Sequence, residues 1–352
     1  FFLYLIKIIT FDKIDFLSLI ISFQVILSTY SIYIFYELNQ KIFSNKLSLI
    51  NSFIFSYFPL NLYAAGQISS ITLQILLSLL FLKYFFCISE KKSSKNIIIF
   101  SIISGILILT RGEFILIFLV TILYLIFFKK ISLAILIKTI LITFLIISPY
   151  MARNYIQFNE IFVVKSLGFN LWKGNNPTSL VQGTSDVRPP NTFEQLKQWK
   201  TSENSDHKIL KAKLEKIKID RFYEINRDKV FLDEAKNNLH KDPGKYINLF
   251  LKKIFSYYFI DLQSSYHNYY NFFHFFPVVI FGIFSLPGVV LVLKKKDLKL
   301  NYLLVFLLLN LAIFSFFFIL PRYKLIILPI QIILATYFIR HMLLKFNITK
   351  KL

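Results

Sequence analysis

Nine apolar runs divide this sequence, at residues 16–36, 47–63, 68–88, 97–110, 112–128, 131–150, 272–293, 301–320 and 325–341. Each is long enough, or nearly so, to cross a hydrocarbon core of about 30 Å. In lipid a backbone must satisfy its own N–H and C=O groups, and runs of this length do so as helices. Of 352 residues 56% are hydrophobic and 17% charged, more apolar surface than one water-soluble core can bury. The expected fold class is therefore an all-α polytopic membrane protein. The run at 97–110 is short, and Arg111 and Gly112 separate it from its successor. That pair is read as a tight hairpin, or as one span with a re-entrant neighbour.

The formal net charge of +22 would point to nucleic acid in a soluble chain, but its distribution says otherwise. Residues 151–246 hold 12 of the 19 acids and 17 of the 41 basic residues, so that segment is nearly neutral. The excess lysines lie between the apolar runs. If the loop with Lys91, Lys92 and Lys95 is inside, alternation also puts Lys41, Lys46, Lys129, Lys130, the lysines at 294–296 and those of the 345–351 tail inside. Every strongly basic short loop then falls on one side, as cytoplasmic loops do. The outer side receives residues 12–15, 64–67, 111–113, 151–246 and 321–324. Three regions follow: N-terminal spans at 1–150, an exported polar domain at 151–246, and an interfacial helix with the C-terminal spans at 247–352. The exported region opens with the turn-rich GNNPTS and DVRPPN and continues in a charged helical pattern from about 192 to 241. The lysines and tyrosines of 246–270 predict a helix lying in the interface.

Function has to be sought among charged groups at the outer face. Asp12, Asp15, Glu113 and Asp261 are the acids placed there outside the polar segment, and they form the pool of candidate bases. Of seven arginines, Arg111, Arg153 and Arg322 end apolar spans on that side, where a forked cation suits a phosphate at headgroup depth; snorkelling to lipid headgroups is the competing reading. Trp172 reads as an interfacial anchor, and Gly174, Asn175, Asn176 and Pro177 as a turn. Phosphate-loop, GxGxxG, HExxH and GxSxG patterns are missing, so soluble nucleotide chemistry has no support. Cys87 is the sole cysteine, which excludes an intrachain disulfide.

Five stretches, in this order, carry a resemblance: SYFPLNLYAAGQISSITLQILLSLLF at 56–81, GILILTRGEFILIF at 105–118, ISPYMARNYIQFNEIFVVKSLGFNLWKGNNP at 147–177, DEAKNNLHKDPGKYINLFLKKIFSYY at 233–258 and PRYKLIILPIQIILA at 321–335. With them the chain resembles bacterial membrane glycosyltransferases of the GT-C fold, in the family 39 group related to protein O-mannosyltransferases and aminoarabinose transferases. The resemblance implies a GT-C-like helix bundle in the cytoplasmic membrane. It implies transfer of a sugar from a polyprenyl-phosphate donor to a glycan, lipid or protein acceptor at the outer face, with no cofactor or metal required and no nucleic acid partner. It makes Arg111, Arg153, Arg322 and Lys324 the holders of the donor phosphate, and puts Tyr323, Trp172, Asn175 and Asn176 on the substrate side. The chain departs from the pattern in two places. Residues 1–15 match the end of the family's first external loop, so the first span and the catalytic acid are expected upstream of Phe1. At the start of the third span Ile71 stands where an acid is usual.

Two other classes fit the same spans. A transporter or flippase for a lipid-linked glycan would hold the phosphate with the same arginines, but would place polar groups near mid-bilayer and show repeated halves, whereas these spans read as apolar at their centres. A scaffold without an active site would account for Ile71.

Overall fold

The computed structural model describes residues 16–91, 93–129, 131–183, 205–264, 266–295 and 298–346. Asp12, Asp15, the DVRPPN turn with Arg188, and the start of the helical pattern expected from 192 lie outside the described residues. What is described is helical: α1 Phe16–Gln40, α2 Asn45–Ser56, α3 Pro59–Ala65, α4 Ile71–Glu90, α5 Ser94–Thr110, α6 Phe114–Phe127, α7 Leu133–Phe158, α8 Leu167–Gly174, α9 Ser205–Glu215, α10 Tyr223–Lys241, α11 Pro243–Tyr258, α12 Phe272–Lys295, α13 Leu298–Ser315, a 3₁₀ turn Pro321–Ile326, and α14 Leu328–Lys345. Four of these, α1, α4, α7 and α12, are long and apolar enough to cross a membrane.

The run at 47–63 is not one span. Pro59 has no N–H and disfavours a helical residue before it, and Phe58 accordingly adopts an extended backbone (φ −64°, ψ 119°) that divides α2 from α3. The run at 301–320 also breaks, because α13 stops at Ser315. In the other direction, α7 continues through Pro149 to Phe158 and ends at Asn159, whose positive φ of 54° closes the helix in the left-handed conformation. Arg111 does lie in a three-residue reversal between α5 and α6, with Phe114 N–H donating to the Arg111 carbonyl at 3.0 Å.

The chain forms two compact units. The first comprises Phe1–Ile146, Asn268–Leu308 and Arg322–Leu352. Its axis is α4, 72% buried over its apolar window, against which α1 and α5 pack. By contrast α12 is 28% and α7 22% buried, and Leu141 and Leu145 on α7 are 61% and 67% exposed. An apolar surface of that extent needs lipid or another apolar partner over it. The α12 and α14 backbones approach closely at Gly288, where a Cβ would meet the Leu334 carbonyl oxygen at 2.2 Å. Polar side chains nevertheless pair between helices of this unit. Asn51 donates to Asn39 at 2.7 Å and accepts from Thr336 at 2.7 Å, and Thr121 bonds Tyr302 at 2.6 Å. These polar groups are tolerated between helices because each pairs with another.

The second unit comprises Ile147–His267 and Leu309–Pro321, and so extends past 151–246 in both directions. Its core joins Trp172 to Leu210, Leu214, Phe231 and Ala235. Asp228 of α10 accepts from the backbone N–H groups of Gly168 (3.0 Å) and Phe169 (2.8 Å), satisfying the free donors at the start of α8. The helix expected to lie in the interface, α11, belongs to this unit and buries Tyr246, Leu249, Lys253 and Tyr257.

Candidate functional site

In the first unit the polar groups gather at two ends of the helices. At one end Glu90, the last residue of α4, accepts from Lys41 at 2.8 Å and from Lys299 at 2.5 Å. Lys41 comes from a loop assigned to one side by charge alone, and Lys299 lies in the first turn of α13. At the other end of α4, about 24 Å away at the helical rise per residue, Gln74 receives the Arg111 guanidinium, Nε donating to Oε1 at 3.1 Å.

Arg111 is fixed from three directions. Its Cζ lies 4.8 Å from the centroid of the Tyr323 ring, and its Nη1 lies 3.9 Å from Glu113 Oε1. The Arg322 guanidinium approaches the same ring at 5.9 Å. The ring quadrupole therefore faces two cations, an arrangement that favours an anion nearby to relieve their mutual repulsion. Tyr323 is buried while Arg322 is exposed. Beside them Lys324 is 4% exposed and lies 3.5 Å from the Tyr269 hydroxyl. His274 completes this end: its Nδ1 bonds the Tyr269 carbonyl at 2.6 Å and so carries the proton, which leaves Nε2 a buried acceptor without a hydrogen-bond partner among the described residues.

Arg111, Glu113, Arg322, Tyr323 and Lys324 thus belong to one unit, and Arg111, Glu113, Arg322 and Tyr323 share one set of contacts. Arg153 belongs to the second unit, where it is exposed and donates to Asn154 at 3.0 Å. Ile71 is 2% exposed at the first turn of α4, packed as an apolar residue. Gln74 and Tyr269 were missed by the sequence reading. An amide within the apolar stretch ITLQILL was the available signal for Gln74, because such a group in a span needs a partner.

Trp172, Asn175 and Asn176 require correction. Trp172 is wholly buried in the core of the second unit, at neither a lipid interface nor an open substrate face. Asn175 donates through Nδ2 to the Leu171 and Phe316 carbonyls at 2.8 and 2.7 Å, and Asn176 Nδ2 donates to the Trp172 carbonyl at 3.1 Å. The GNNP block is therefore a splice within the fold that ties α8 to the segment after α13. Gly174 is needed there, since a Cβ would fall 2.0 Å from the Phe317 carbonyl oxygen. Lys253 of α11 is fully buried and donates to the Gly174 carbonyl (2.8 Å) and Asn175 Oδ1 (3.1 Å); burial pulls its pKa down to about 7.

Comparison with protein-family models, with curated proteins and with solved structures finds no match to this chain.

Proposed function

We propose that the chain is a membrane glycosyltransferase of GT-C type, which moves a sugar from a polyprenyl-phosphate donor to an acceptor at the outer face of the cytoplasmic membrane. The observation that carries this reading is the Arg111 guanidinium, held by Gln74, Glu113 and Tyr323 and backed by Arg322 on the same ring. In the reaction the acceptor oxygen attacks the anomeric carbon, the bond to the carrier phosphate breaks, and the phosphate leaves with the electron pair. Cations already in place where that charge develops lower the barrier without reorganising. Arg111 and Arg322 take this role, and Lys324 adds a third positive group. The base that removes the acceptor proton is sought among Asp12, Asp15 and Glu113. His274 Nε2, a buried acceptor beside Tyr269, joins that pool.

The orientation is supported by the separation of the two ends of α4: Lys41 and Lys299 converge on Glu90, whereas the arginine cluster surrounds Gln74. In this reading residues 151–246 lie on the periplasmic or extracellular side. The packed role of Asn175, Asn176 and Trp172 removes them from the substrate side.

The test is to incubate the purified protein with radiolabelled polyprenyl-phosphate sugars and to measure sugar released from the lipid. Release that depends on Arg111 supports the transferase. Intact lipid-linked sugar that moves between leaflets, with no release from any donor, replaces this reading with a flippase.

A further inference from the structure

A second cationic site lies at the opposite end of the first unit, away from Arg111. A cavity of about 430 Å³ is lined by Lys41, Lys295, Lys299, Tyr337, Arg340 and His341. Glu90 pairs with Lys41 and Lys299. Lys295 sits over the Tyr337 ring at 5.4 Å, and neither it nor Arg340 has a carboxylate within ion-pair distance among the described residues. Among the described residues, Arg340 Nε is buried without a hydrogen-bond partner. A buried guanidinium donor left in that state is costly, and an anion oxygen would satisfy it.

The neighbouring surface identifies the kind of anion. Arg340 also lines an apolar groove of about 270 Å³ between α2, α12 and α14, with Ile50, Ile54, Phe281, Phe284 and Ile339 in its walls. A charged cavity and an apolar groove that meet at one arginine match a molecule with a phosphate at one end and a hydrocarbon chain at the other. A free phosphate would leave the groove uncovered. The helix ends that form the cavity carry the basic loops expected at the cytoplasmic face, where anionic lipids attract such residues.

We infer that this cavity and groove bind an anionic phospholipid, its headgroup phosphate on Arg340 and Lys295 and one acyl chain along the groove between α12 and α14. The site is independent of the transferase reading and stands or falls on lipid binding alone.

The test uses the full chain in detergent, supplied with phosphatidylglycerol or phosphatidylcholine, with retained lipid measured by native mass spectrometry. Phosphatidylglycerol is retained in preference to phosphatidylcholine. The double variant Lys295→Ala/Arg340→Ala weakens that retention about thirtyfold. Lys46→Ala/Lys91→Ala, which removes equal charge from the same end but outside the cavity, changes it by no more than about twofold. The charge-conserving pair Lys295→Arg/Arg340→Lys keeps the preference, which separates lost binding from lost folding. Equal weakening in both alanine pairs, or no preference between the lipids, overturns the proposal. Stabilisation by inorganic phosphate equal to that by phosphatidylglycerol also overturns it, because the cavity would then serve a soluble anion.

Discussion

The Arg111 guanidinium stacks 4.8 Å from the Tyr323 ring while its Nε donates to Gln74, so two residues more than 200 positions apart in the chain are held by one cation. The same guanidinium reaches Glu113 Oε1 through Nη1 at 3.9 Å, and this set of contacts is the basis of the first two predictions.

Arg111→Ala should lower release of sugar from polyprenyl phosphate by about 100-fold, the usual scale for losing one group that stabilises developing charge. Arg111→Lys should recover little of it, because an ammonium cannot both stack on Tyr323 and present a planar fork. Arg221→Ala, an exposed arginine of the second unit, serves as the control and should match the parent. Parental turnover by both Arg111 variants, at equal folded yield, would end the assignment of this arginine to the donor phosphate.

Gln74→Glu separates positioning from packing. The new carboxylate still accepts from Arg111 and removes the Gln74 Nε2 donor, which is buried without a partner among the described residues, so thermal stability should hold or rise by about 1 kcal/mol. Its negative charge beside the guanidinium should nevertheless raise the donor KM about tenfold, with a smaller effect on kcat. A simple packing role predicts the reverse, lower stability with an unchanged KM.

Gly174→Ala should destabilise the second unit by about 3 kcal/mol, since the added methyl meets backbone at Phe317 and not a side chain that can turn away. Hydrogen exchange would show the loss first in residues 309–321 and at the end of α8. Unchanged protection in that segment would contradict the close approach.

Lys253 makes the second unit sensitive to alkaline conditions in a particular direction. Its amine is held near pKa 7 in the folded chain against an ordinary 10.5. Between those values the unfolded chain binds more protons, so stability rises as pH increases from about 7 toward 10.5 and is lowest below 7, where the buried amine must carry charge. The full excursion is at most roughly 5 kcal/mol. Lys253→Met should flatten this dependence while costing about 1 to 2 kcal/mol near pH 9, because the Gly174 carbonyl and Asn175 Oδ1 lose their donor. Melting temperatures measured from pH 6 to 9.5 give both readings; a parent that loses stability over that interval would refute the assignment.

Much of the fold could be read from residues in order. The apolar runs specify helices because a 20-residue stretch such as α4 must satisfy its backbone internally, and Lys41 and Lys299 meet Glu90 where the helices end. Local chemistry at Pro59 also divides α2 from α3, against a continuous hydropathy. The arginines were visible as a set, since few such cations end apolar runs.

What tertiary structure alone decided is which of those groups meet. Arg111, Gln74 and Tyr323 come from three separate helix ends, and no periodicity links them; packing around α4 brings them together. Trp172, Asn175 and Asn176 looked like interface and turn residues because aromatic and amide side chains serve those roles wherever water is near. In the folded unit water is excluded from them, and the same polar atoms bond the backbone at Leu171, Trp172 and Phe316. Hydropathy and charge act residue by residue and are written in the sequence. Burial and pairing depend on partners distant in the chain, and these exist only once the helices have packed.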